Sequence, residues 1–60
     1  MTPHAISIRD EFFWTYVDFL HHPSPPPRLR SRLQEARAAA MDRTVLTQAE
    51  YNETVFRARS

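Results

Sequence analysis

Four of the five prolines fall within PSPPP, residues 23–27, and the chain contains no glycine. Proline lacks the backbone N–H and restricts the residue before it, so no helix runs through this segment. The prolines therefore divide the chain into two arms. Neither arm shows the sustained period-two alternation, bounded by turn residues, that marks a strand. The expected fold class is all-α: two to three short helices about a proline-rich hinge. They either close into a small bundle or stay open as an extended helical clasp.

The first arm begins with MTPHAI, which reads as an extended lead-in. Ser7 then opens S-x-x-D, a loose capping box with Asp10 where Glu is usual. Asp10 and Glu11 lie where the helix dipole favours negative charge. A helix over about 8–22 follows, with His21 and His22 at its end. Beyond the hinge at 23–27, Ser24 is placed to cap a second helix, with proline tolerated in its first turn. RLRSRLQEARAAAMDR extends that helix, over about 26–43. Thr47 and Glu50 form a T-x-x-E capping box, and Leu46 and Tyr51 are spaced for a hydrophobic staple. This predicts a third helix over 48–59, and a single small helical domain over 1–60.

Five of the seven aromatic residues lie in EFFWTYVDFL, residues 11–20. On a helical wheel, Ile8, Phe12, Tyr16 and Phe19 fall together, and Phe13, Val17 and Leu20 widen that side. The sector covers roughly 180°, against about 100° for an ordinary surface helix. Glu11, Thr15, Asp18 and His22 are read as the opposite, polar face, with Trp14 beside them. Helix two offers only Leu29, Leu33, Ala36 and Ala40 as cover. Helix three offers Tyr51, Val55 and Ala58, and the connection adds Val45 and Leu46. Each large ring left in water forfeits about 1.5–3 kcal/mol. The expectation is that another protein chain, or a second copy of this one, covers the remainder.

Charge is uneven although the formal net is +1. Residues 1–22 set Arg9 against Asp10, Glu11 and Asp18, and residues 23–43 set five arginines against Glu35 and Asp42. All basic residues are Arg, which binds carboxylate or phosphate bidentately where Lys does not. The candidate partner-binding residues are Phe12, Phe13, Trp14, Tyr16 and Phe19 as anchors. Arg28, Arg30 and Arg32 supply charge complementarity to an acidic partner.

The function expected from these residues is a small non-catalytic protein-binding subunit, adaptor or inhibitor, regulatory in character. The alternatives are nucleic-acid binding through the Arg-rich second helix and an accessory role in a larger enzyme complex. A helix-turn-helix reading of the last two helices lacks the usual tight glycine turn and places Glu50 and Glu53 where phosphate would approach. P-x-x-P-x-R, from Pro23 to Arg28, matches a polyproline recognition pattern, but the pattern is short and arises often by chance, and a stiff connector is the expected reading. No catalytic motif is present, so no enzymatic activity is expected. Nor is a cofactor or metal expected: cysteine is absent, and adjacent His21 and His22 diverge by about 100° on a helix. No apolar run reaches the roughly 18 residues of a membrane span. With no signal-like N-terminus, a cytoplasmic location is expected.

Overall fold

A computed structural model describes all 60 residues. The chain forms three helices and no strand: α1 (Pro3–His21), α2 (Pro27–Ala40) and α3 (Gln48–Arg59). It folds back on itself into a bundle measuring 33 × 22 × 16 Å, so the open clasp is not the state adopted. Both α2 and α3 lie against α1 and make little contact with each other. α1 is therefore the spine, and the two shorter helices splay across one side of it.

α1 starts earlier than its sequence reading. Thr2 is the N-cap, its Oγ1 accepting from the Ala5 N–H at 3.1 Å, and Pro3 occupies the first helical position. Proline suits that position because its missing N–H would have had no intrahelical partner. Residues 3–6 are thus helix rather than an extended lead-in, and Ser7 is an exposed interior residue rather than a cap. The extra turn buries Ala5 in the core. At the other end, His22 turns extended and the prolines prevent any continuation.

α2 begins at Pro27 behind an extended Pro26, with no side-chain cap, so Ser24 does not serve that role. The helix also stops at Ala40, short of the expected residue 43. Asp42 ends it by forming a turn with its own neighbours: its Oδ1 accepts from the Thr44 N–H at 2.9 Å and the Thr44 hydroxyl at 2.7 Å. Aspartate competes with helical hydrogen bonding in this way. The turn swings Leu46 inward, where it is fully buried.

α3 has the boundaries its capping box predicts. Thr47 Oγ1 accepts from the Glu50 N–H at 3.1 Å, and Glu50 Oε1 accepts from the Thr47 N–H at 2.8 Å. Leu46 is buried in the core and Tyr51 packs against that core, as the staple spacing implied.

The core is centred on Phe12, which is 1% exposed. Its ring lies flat between Tyr16, at 5.6 Å between centroids, and Tyr51, at 5.4 Å. Ala36 and Ala40 of α2 complete the cluster, their small side chains allowing the helix backbone close to the ring. Thr15 is buried as well, contrary to its polar-face reading. It sits only about 60° from Phe12 on the wheel, inside the sector that α2 and α3 cover. Thr54 is the second buried threonine, its hydroxyl donating to the Glu50 carbonyl at 2.8 Å.

Two exposed carboxyls hold turns together and give the fold an acid dependence. Asp42 titrates below its ordinary value, chiefly because of the Thr44 hydroxyl and then the Thr44 N–H. Glu50 is lowered by the Thr47 N–H and then the Thr47 hydroxyl. Because folding depresses both, they stabilise the fold above the ordinary carboxylate value of about 4. That contribution disappears as pH falls through the lower folded-state values. The urea midpoint should therefore drop between about pH 7 and about pH 3. The drop should be smaller in the Asp42→Asn, Glu50→Gln double variant, which keeps an acceptor at each turn but cannot titrate. An equal drop in the variant would assign the acid dependence elsewhere. Separately, Thr47→Ala should cost about 0.5–2 kcal/mol in the same urea measurement.

Candidate functional site: two aromatic surfaces

The fold separates the sequence-predicted partner-binding residues onto different parts of the molecule. Phe12 is in the core and is not accessible to a partner. Tyr16 and Phe19 are half-buried and turn toward the space between α2 and α3. Phe13 and Trp14 lie on another side of α1, where the Phe13 ring stands edge-on to the indole at 4.9 Å and 83°. Of the three arginines, Arg30 lines the space between α2 and α3. Arg32 is engaged with Glu11 of α1, its Nη2 at 3.1 Å from Oε1. Arg28 is exposed and makes no ion pair.

The first surface is the outer face of α1. Trp14 is 65% exposed, beside a depression that α1 shares with Glu50, Glu53, Thr54 and Arg57 of α3. Ile6 and Leu20 are also exposed, and Phe13 and Val17 are half-buried. Ile6, Asp10, Phe13, Val17 and Leu20 are spaced by alternating intervals of four and three, which places them along one seam of the helix. The sequence reading assigned Phe13, Val17 and Leu20 to the same broad sector as Phe12. In the structure that sector is divided: α2 and α3 cover its centre and leave this edge half-exposed, with Phe13 bordered by Glu50, Glu53, Thr54 and Arg57 of α3. Beside Phe13 and Trp14 lies a 510 Å³ depression whose ionisable side chains are Asp10, Glu50 and Glu53 against Arg9 and Arg57. Arg9 pairs with Asp10 at 3.0 Å and Arg57 with Glu53 at 2.7 Å, both in solvent.

The second surface is a groove of 590 Å³ left where α2 and α3 diverge over α1. Phe12, Tyr16 and Phe19 of α1 underlie it; Arg30, Leu33, Gln34 and Arg37 form one wall, and Tyr51, Asn52, Val55 and Arg59 the other. On each helix these residues recur over about two turns, so the groove runs along the helices for about 10 Å. No carboxylate lines it, and Arg30, Arg37 and Arg59 make no ion pair within the chain. Arg37 is nonetheless positioned, its Nε donating to the Tyr51 hydroxyl at 3.2 Å. Phe56, 74% exposed, stands on the α3 shoulder of the groove with Val55 and Arg59. Phe56 is not among the α3 residues counted from the sequence as cover for α1; its place at the groove edge follows only from how α3 sits on α1.

No cluster of three or more potential metal ligands is formed. Asp18 and His22 approach to 3.5 Å as an exposed pair. No helix is long and apolar enough to cross a membrane. Comparison with protein-family models, with curated proteins and with solved structures returns no match.

Proposed function

We propose that this chain is a non-catalytic protein-binding module whose anchor is the outer face of α1, docking against a helix of another protein. The observation that carries this reading is the exposure of Trp14 beside an apolar seam. A large indole held in water forgoes burial energy that a chain of this size needs, and tryptophan is enriched among residues that dominate binding. The four–three spacing of the seam is the pattern a second helix fills.

Charge favours a foreign helix over a second copy. In an antiparallel self-pairing centred on Phe13, both Asp10 carboxylates, each held by its own Arg9, would enter the seam about 9 Å apart along the helix axis, a weak repulsion. A partner helix carrying leucines with a lysine or arginine opposite Asp10 avoids that repulsion and complements the neighbouring carboxylates.

The test uses a leucine–lysine amphipathic helical peptide as probe and Trp14, the sole tryptophan, as reporter. Saturable binding should move the indole emission to shorter wavelength. Trp14→Ala, followed by calorimetry, should weaken binding by more than about 1 kcal/mol while helicity is kept. Unchanged affinity in that variant would remove Trp14 as an anchor. Concentration-dependent dimerisation that protects the indole without peptide would transfer the face to a second copy.

A further inference from the structure

We infer that the groove between α2 and α3 is a second docking site, and that its occupant is an acidic amphipathic helix of a partner protein. The groove lies on the side of α1 away from Trp14, so this inference stands independently of the outer-face reading. Three features select the occupant. The floor and walls are apolar where Tyr16, Phe19, Leu33 and Val55 line them. The only ionisable groups of one sign are guanidiniums, and Arg30, Arg37 and Arg59 have no carboxylate within the chain to neutralise them. Phe56 extends the apolar surface beyond the rim.

An amphipathic helix laid in a groove presents anchors at i, i+3, i+4 and i+7, a span of about 10 Å that matches the two turns of wall. Glutamates flanking such anchors meet the arginine rim, which binds carboxylates bidentately. The same arginines would also attract phosphate. A nucleic acid is less well matched: the aliphatic Leu33 and Val55 offer no stacking surface, which leaves Phe19 and Phe56 as the rings a base could meet. In addition, Phe12 occupies the ring faces that Tyr16 and Tyr51 turn toward it.

The experiment titrates the ¹⁵N-labelled chain with a peptide of about 15 residues, bearing leucine and phenylalanine anchors flanked by glutamates. Amide shifts should saturate and map to the groove walls, leaving Trp14 emission unchanged. The Arg30→Glu, Arg59→Glu variant should lose about tenfold or more in affinity. The charge-matched Arg28→Glu, Arg43→Glu variant, altered outside the groove, should lose much less. Both variants keep Arg37, whose Nε donates to the Tyr51 hydroxyl across the groove, and circular dichroism checks that each remains helical. Equal loss in the two variants would mean that net charge, not the groove, attracts the peptide, and would overturn the inference. So would the absence of saturable shifts, or tighter binding of a single-stranded oligonucleotide at the same residues.

Discussion

Phe12→Ala should leave little or no folded protein at room temperature. Removing a buried phenylalanine side chain costs about 3–5 kcal/mol. Native stability runs at about 0.05–0.15 kcal/mol per residue, which gives roughly 3–9 kcal/mol for a chain of this length. One substitution therefore removes most of what holds the fold. The site is also poorly able to collapse around the loss. Phe12 supports both flanking tyrosines, at 5.6 and 5.4 Å, so its removal leaves two rings without a partner. Circular dichroism through a urea titration measures the effect. Phe12→Leu, which refills much of the volume, should restore a cooperative transition. A sigmoidal unfolding curve for Phe12→Ala within 1 kcal/mol or so of the parent would show that the stack does not organise the core.

Leu46→Ala should be the next most damaging change, at about 2–5 kcal/mol, although Leu46 lies in a connection rather than a helix. Its side chain is 1% exposed and joins the cluster made by Phe12, Ala36 and Ala40. It precedes the Thr47 cap, so its burial fixes where α3 enters the bundle. α3 makes little contact with α2 and rests on α1 through Tyr51, Val55 and their neighbours. Loss of the Leu46 plug should free α3 before it affects α1 and α2. Amide exchange should accelerate across 48–59 more than across α1, and the urea midpoint should fall. Uniform acceleration in all three helices would mean that Leu46 supports the whole core equally rather than securing α3.

Local signals were legible in the sequence where a side chain closes a hydrogen bond within three residues. The Thr47–Glu50 box located α3, and the prolines located the end of α1. The start of α1 was carried by an equally local pair, Thr2 as cap and Pro3 behind it. The Ser7–Asp10 spacing was read in its place, because that box stands immediately before the aromatic run. The end of α2 was harder, since no glycine or proline marks it. It depends on Asp42 preferring the Thr44 N–H and hydroxyl to continued helix.

Tertiary features were legible only in part. The shortage of cover for the aromatic helix was apparent from residue counts, and Trp14 and Phe56 are exposed in the structure. Which rings would be covered depended on where α2 and α3 cross α1, and periodicity alone does not contain that information. Thr15 was assigned to water because it is polar, yet its wheel position beside Phe12 places it under the covering helices. The helical wheel groups Phe12, Phe13, Tyr16 and Phe19, but nothing in the sequence fixes how they and Trp14 lie relative to Arg28, Arg30 and Arg32 on α2. The bundle divides them into a core ring, an outer face and a groove.

The two surfaces differ in charge as well as position. The depression beside Phe13 and Trp14 sets Asp10, Glu50 and Glu53 against Arg9, Arg57 and the Met1 ammonium, whereas the groove holds arginines alone.

The outer-face reading depends on α1 presenting Trp14 to solvent when the chain is by itself. Acrylamide quenching of the lone indole tests that directly, at a dilution where sedimentation shows one monomeric species with intact helicity. Quenching close to that of free tryptophan, with emission at long wavelength, is the expected result. A monomer whose indole resists the quencher and emits at short wavelength would mean that the chain shelters its own rings, and the case for an outer docking face would fall.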